Sequence, residues 1–248
     1  MKSLLRNAIV LSAVLGAIGA DAAEELVVDL SAPVVAITTG FTGADLLLFG
    51  VTGGDGDVVV VVRGPAKDET VRRKARIAGV WVNRDQMTFK QVPSFYTISA
   101  NRPPNEFVPI KARQDNQIGF DFLELKPVDA GVDVGEAERF RTAFIRNKQR
   151  AGLYGKEPGK VIFLGNRLFR TNITFPANVA VGTYGIDVYQ VRDDKLISWK
   201  TTLLNVRKFG FEAGVFDFAH RHSLAYGVLA VLIAAVAGWL ASVIFRRT

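Results

Sequence analysis

Val51-Thr52-Gly53-Gly54-Asp55-Gly56-Asp57, running into Val58-Val59-Val60-Val61-Val62, is the stretch on which the reading of the fold turns. Five consecutive β-branched residues are stiff at χ1 and favour a pleated strand. The run is too short for a buried helix and has no 3.6-residue period. The Gly/Asp segment before it has turn chemistry and reads as a hairpin turn from the apolar run Asp45–Gly50 into Val58–Val62. It has no Gly-Lys-Ser/Thr ending and no EF-hand glutamate, so neither a phosphate loop nor a calcium loop fits.

Working outward, Leu26–Leu30 and Val34–Thr39 precede this pair, and Arg76–Val82, Met87–Val92 and Phe95–Ala100 follow it. That makes about seven strands, with turn signals every 8–12 residues, a spacing that suggests a sandwich. Residues 101–155 interrupt the pattern. Arg102-Pro103-Pro104 and Pro109 break structure, and Ile118–Leu125 fits either a strand or a short helix. Asp133 with Glu136 three residues on is a capping-box pattern. It opens a helix with Ala137, Phe140, Phe144 and Ala151 on one side and Arg139, Arg146, Lys148 and Arg150 largely elsewhere, ending near Gly152–Gly155. Strands return at Lys160–Leu164, Leu168–Phe175, Tyr184–Arg192 and Leu196–Val206, the third alternating strictly. The expected class is mainly β: one or two immunoglobulin-like β-sandwich modules (23–100 and 156–210) with one intervening helix in 101–155, plus a single C-terminal transmembrane helix.

The two ends define a topology. Lys2 and Arg6 followed by the apolar run Ala8–Ala20 and Ala20-Asp21-Ala22 read as a secretory signal over 1–22. Leu224–Phe245 is 22 residues without a charge; at ~1.5 Å per residue it reaches ~33 Å, enough for a bilayer core. Residues 211–223 are a juxtamembrane linker, and Arg246-Arg247-Thr248 a cytoplasmic tail on the positive-inside rule. The two ends agree on a large extracytoplasmic domain, one C-terminal anchor and a cytoplasmic C-terminus; with the family resemblance given below, the expected location is the bacterial inner membrane with a periplasmic ectodomain. Three tail residues cannot hold an output domain, so any signal must pass through a partner.

Composition narrows the chemistry. The chain has no cysteine, which excludes disulfides, thiolate metal sites and thiol catalysis, and only two histidines. Net charge is +7; without Lys2, Arg6 and Asp21 it is +6, and setting aside Arg246 and Arg247 leaves +4 for the exported part. That suits an acidic partner or an anionic leaflet and gives no reason to expect nucleic acid.

Several segments carry a resemblance: Phe41–Leu46, Val58–Pro65, Arg72-Arg73-Lys74, Gly79–Asn83, Gly152-Leu153-Tyr154, Phe175–Val179 with Gly182-Thr183-Tyr184, Ala225-Tyr226-Gly227 and Gly238–Ala241. In combination the chain resembles a family of alphaproteobacterial transmembrane proteins. The resemblance implies export, a C-terminal anchor and no assigned enzyme activity. Members are often encoded beside sulfite-exporter-family permeases, which implies a transport-accessory role.

Candidate sites are few. Arg63, Arg72, Arg73, Lys74 and Arg76, with Lys67 among them, form the densest basic stretch, and guanidinium forks match oxyanions such as phosphate, sulfate or sulfite. The competing reading is a solvated strand face. His220-Arg221-His222 lacks the ligand count of a metal site unless Asp217 or Glu212 joins it; both rings suit a headgroup interface. Asn172-Ile173-Thr174 is read as strand, and Asp187 with Asp193 or Asp194 as ordinary strand-end and turn carboxylates. In the anchor, Ala230, Ala234, Gly238 and Ser242 recur every four residues, a small-residue spacing that lets a second helix approach. No nucleophile–base pair is visible, so no enzyme activity, catalytic residue, metal or cofactor is expected. The favoured reading is a noncatalytic accessory or interaction subunit of a membrane assembly, such as an anion (sulfite-type) exporter. Its partners are the lipid bilayer and an integral membrane protein, or a second copy, met through the transmembrane helix. The second reading is a periplasmic oxyanion-binding module, and the third an envelope enzyme.

Overall fold

The computed structural model describes residues 26–77, 79–129, 131–209 and 219–245. In chain order these form β1 (Val27–Leu30), β2 (Val34–Ile37), β3 (Gly43–Val51), β4 (Asp57–Arg63), β5 (Ala66–Ile77), β6 (Val80–Pro93) and β7 (Tyr96–Ala100). The short helices α1 (Pro104–Phe107) and α2 (Ile110–Asp115), β8 (Lys126–Pro127) and the long helix α3 (Val134–Arg150) follow. Then come β9 (Gly159–Lys160), β10 (Ile162–Leu164), β11 (Leu168–Pro176), β12 (Gly182–Arg192), β13 (Lys195–Lys208) and the anchor α4 (Ser223–Phe245).

The valine run sits at the centre of this mainly β architecture. β4 is flanked by β12 and β7 in a sheet of order β2-β13-β12-β4-β7-β9, and all five valines are at most 1 % exposed. A strand buried on both faces has no polar side, which is why the sequence shows five valines without alternation. Val58, Val60 and Val62 face a second sheet, β1-β3-β11-β10, and pack with Leu46, Leu48, Phe169, Ile173, Tyr184 and Ile186. Val59 and Val61 face the other way, into a separate core with Phe89, Tyr96, Phe140, Phe144 and Tyr154. β11 and β12 alternate between buried and outward positions where they line the first core, as a period of two requires.

Both sheets draw strands from both β stretches. β3 pairs with β11 and β4 with β12, each antiparallel over seven or more residues. Strands from both stretches therefore build one sandwich together, the single-module alternative of the sequence reading, while β5 and β6 form a third sheet with β8. Two readings are corrected. The loop 52–56 is not a hairpin turn: β3 and β4 lie in different sheets, so the loop arches between them. It is pinned from outside, because Gln190 Nε2 donates to the Gly54 carbonyl at 3.2 Å and Arg192 Nε to the Asp55 carbonyl at 2.7 Å. Local turn chemistry is the same for an arch and a hairpin; only the strand partners differ. The expected strand Arg76–Val82 instead straddles the end of β5 at Ile77 and the start of β6 at Val80, and Gly79 just before β6 has φ +83°.

α3 closes the second core. Asp133 Oδ1 accepts from the Glu136 backbone N–H at 2.9 Å, the N-cap read from the sequence. Phe140, Phe144 and Lys148, spaced four apart, are the buried stripe. Phe144 meets Phe89 at 5.7 Å and Tyr154 at 5.8 Å between ring centroids. The Tyr154 hydroxyl donates to the Pro93 carbonyl at 2.8 Å, tying the chain beyond α3 to the end of β6. Ile118–Leu125, left open between strand and helix, forms turns; the short helices lie before it, at Pro104 and Ile110. Proline fixes φ near the helical value and lacks the N–H that a first turn leaves unpaired, so Pro104 begins α1 and Pro109 immediately precedes α2.

β5 and β6 form a long two-stranded arm. The arm is rooted in the second core at the pair Val71 and Met87, and beyond that pair none of its described residues is buried. The anchor α4 is apolar enough over Ser223–Ser242 to cross a membrane and has no residue of that span buried against the rest of the protein. The signal segment 1–22, most of the linker 211–223 and the tail 246–248 lie outside the described residues.

Candidate functional site

The basic stretch read as one cluster divides into three. Arg63, at the end of β4, is a structural clamp. It pairs with Asp187 of β12 and donates to the Asn116 carbonyl, with its guanidinium carbon 6.0 Å from the Tyr96 ring centre. Arg76 lies near the tip of the arm, where its Nε donates to the Gly79 carbonyl at 3.2 Å. Arg72, Arg73 and Lys74 lie midway along β5, and these three line a groove of about 520 Å3 between the arm and α3.

The opposite wall carries cations that the sequence places largely away from the apolar side of α3. Arg139, Arg146 and Arg150 line the groove with Asn147, over a floor of Val71, Phe140 and Ala143. The three arginines stand at positions i, i+7 and i+11, which at ~100° per residue fall within about 40° of one another on the helix. That spacing was visible in the sequence. What was not visible is that β5 runs alongside, since nothing local to either element specifies the other.

The groove is electrostatically one-sided. Its lining holds six cations and no carboxylate. Arg73 is the best-held of the six: Nε donates to Asp85 at 2.8 Å, Glu136 lies 3.8 Å away and the Phe140 ring centre 5.8 Å away. The Glu136 carboxylate is turned towards the arm, so among the described residues only the Asp133 half of the capping box is formed. Arg72 reaches Gln86 Oε1 at 3.4 Å. Lys74, Arg139, Arg146 and Arg150 have no ion-pair partner among the described residues. All six cationic side chains belong to exposed residues, so they are hydrated when nothing is bound. An anionic group entering here meets guanidinium forks from two elements, the geometry suited to bidentate capture of phosphate, sulfate or carboxylate.

Beneath the groove lies a pair that sequence reading missed. Lys148 is 7 % exposed, and its ammonium sits 2.7 Å from Glu69 Oε1, with the Phe144 and Tyr154 ring centres at 5.5 and 5.9 Å. Burial pushes the Glu69 carboxyl upward, but the hydrogen bonds from Lys148 and Lys67 outweigh it and hold the group below its ordinary value. The pair locks α3 to the root of β5 and so sets the width of the groove. The signal was the spacing Phe140, Phe144, Lys148, which puts the lysine on the apolar stripe. Tyr96, on β7, is similarly structural. Its buried hydroxyl donates to the Gln117 carbonyl at 2.7 Å, and burial pushes its pKa up to about 12.

The remaining candidates stay apart. Asp187 is held by Arg63 and by the Thr201 hydroxyl at 2.6 Å, while Asp193 and Asp194 form the β12–β13 turn with positive φ. Asn172 lies within β11. No metal-holding cluster of three His, Asp or Glu residues occurs among the described residues; Glu212 and Asp217 lie outside them. In the anchor, Ala230, Ala234, Gly238 and Ser242 are exposed, and a Cβ added at Gly238 would meet nothing within 4 Å.

No curated protein matches the chain. Residues 25–247, which run from the first sandwich strand through the apolar helix, match the family described as Putative transmembrane protein (Alph_Pro_TM), and the chain belongs to that family.

Proposed function

We propose that the chain is a noncatalytic accessory subunit of a membrane assembly, held by one helix in the inner membrane, whose periplasmic β ectodomain captures a polyanionic ligand in the groove between β5 and α3. The observation that carries this is the lining: Arg72, Arg73 and Lys74 face Arg139, Arg146 and Arg150, no carboxylate is among the lining residues, and only Arg73 of the six is ion-paired among the described residues. Like charges gathered this closely repel one another, and a bound anion relieves that repulsion. A volume of about 520 Å3 lies in the range of ligand sites rather than of single ions. The groove therefore suits a ligand with several phosphate, sulfate or carboxylate groups better than one small oxyanion. A link to sulfite-type export rests on the family resemblance alone. The periplasmic orientation is supported by the signal-like N-terminus and by the arginines that follow the anchor.

The test is titration of the full-length protein in nanodiscs of zwitterionic lipid with inorganic tripolyphosphate. Arg146→Glu combined with Arg150→Glu should weaken binding by about 10- to 100-fold, on the scale of one to two charge-assisted contacts. Both residues are exposed, so the fold should be unaffected. Affinity should also fall with added salt. Unchanged affinity in the double variant would remove the groove as the binding site.

A further inference from the structure

The end of the arm gathers exposed apolar side chains within a few residues of one another. The cross-strand pairs near the bend are Ile77 with Val80, Arg76 with Trp81, Ala75 with Val82 and Lys74 with Asn83. Residues directly opposite in an antiparallel pair share a face. Ile77, Val80, Ala75 and Val82 thus occupy one face, and Trp81 stands on the other beside Arg76 and Lys74. Trp81 is 66 % exposed, Val80 63 % and Ile77 56 %. A ribbon of two strands with no core of its own is marginal in water. Here it carries its most apolar side chains at the end farthest from its root in the core. Arg76 is level with Trp81, and below them come Arg72, Arg73, Lys74 and Arg84, with Asp85 paired to Arg73.

A flat or gently curved protein surface would cover one face of such a tip and leave the other wet. A fluid interface covers both. An apolar end containing Trp, ringed by Arg and Lys, matches the layering of a bilayer interface, with acyl boundary within and anionic headgroups around it. A bilayer is at hand: β13 ends at Lys208 and α4 begins at Ser223. The intervening chain, at no more than ~3.6 Å per residue, keeps the ectodomain within about 50 Å of the membrane surface.

We infer that the tip of the β5–β6 arm, Ile77, Val80, Trp81 and Val82, inserts into the interface of an anionic lipid bilayer and gives the ectodomain a second membrane contact besides α4. This inference does not rest on the groove's ligand. The test uses the full-length protein carrying Trp199→Phe and Trp239→Phe, so that Trp81 is the one remaining fluorophore of its kind. The protein is reconstituted in nanodiscs of phosphatidylglycerol mixed with phosphatidylcholine, with or without acyl-chain bromination. Trp81 emission should shift to shorter wavelength and be quenched by the brominated lipid. Lys74→Glu with Arg76→Glu should reduce both effects, as should discs of phosphatidylcholine alone. Emission that stays at its aqueous wavelength and unquenched in anionic discs overturns the inference and leaves the tip as a protein-docking element. Quenching that ignores both lipid charge and the two reversals overturns the anionic-lipid assignment.

Discussion

Removing Glu69 should cost far more stability than removing Lys148, although the two form one ion pair. The Lys148 side chain is 9 % exposed and the Glu69 side chain 21 %. Glu69→Ala leaves an ammonium enclosed by the Phe144 and Tyr154 rings with no carboxylate in reach. Stranding one member of a buried pair costs about 3–5 kcal/mol, and residual exposure puts this case near 3. Lys148→Met keeps the stem packing and removes the charge. Glu69 then retains Lys67 at 3.0 Å and some water, so the cost should be about 1 kcal/mol. The double variant holds no stranded charge and should resemble Lys148→Met, not the sum. For a chain of this size 1 kcal/mol shifts the melting temperature by ~2–4 °C. Thermal unfolding of the full-length protein in detergent, followed by circular dichroism in the β region, should therefore show a loss of ~6–12 °C for Glu69→Ala and ~2–4 °C for the other two. Equal losses in the single variants, or additive losses in the double, would refute the asymmetry and with it the idea that Lys148 is the enclosed partner.

Two further outcomes are expected. Glu69 and Asp57 both titrate below their ordinary values of 4.5 and 3.8; in each, burial acts upward and hydrogen bonds from cationic or amide partners act more strongly downward. A depressed folded-state value means that the unfolded chain binds protons first as pH falls, so this stabilisation is intact above pH ~4.5 and is lost as pH drops through the folded values; melting curves across pH 3–6 should show it, and Glu69→Gln should flatten the dependence. In the anchor, Gly238→Leu should insert normally yet reduce co-purification of a membrane partner, whereas Val236→Leu, about 160° around the helix, should not; equal recovery from both would reduce the helix to a tether.

The strands were legible because burial on one face imposes a period of two, as in Tyr184, Ile186 and Val188, and burial on both faces imposes unbroken valine. The helix was legible from Asp133 and the stripe Phe140–Phe144. Pairing was not. The segment Thr52–Gly56 has the composition of a hairpin loop, yet its flanking strands belong to opposite sheets, and the choice is made by partners more than 100 residues away, β11 and β12. The site was half legible for the same reason. Arg63 and Arg72–Lys74 look like one cluster along the chain, but Arg63 is spent on Asp187, while the residues that complete the groove come from α3.

Charge bookkeeping sharpens the case for a directional surface. Residues 23–245 carry a net +4, yet the groove alone holds six cations and no carboxylate. The rest of that segment is therefore net negative by two, and its basic character is local rather than diffuse. A molecule with charge spread evenly attracts anions from every side; one with this distribution turns a polyanion towards a single face and repels it weakly elsewhere. The consequence is kinetic as well as thermodynamic. Association of tripolyphosphate with the groove should slow steeply as ionic strength rises and the Debye length falls below the ~10 Å it has at 0.1 M salt. The Arg146→Glu, Arg150→Glu variant should lose most of that salt dependence, because reversing two charges lowers the charge of the groove by four units. A salt dependence of equal slope in parent and variant would mean that anions are drawn to the surface at large, and the groove would have no claim to be their destination.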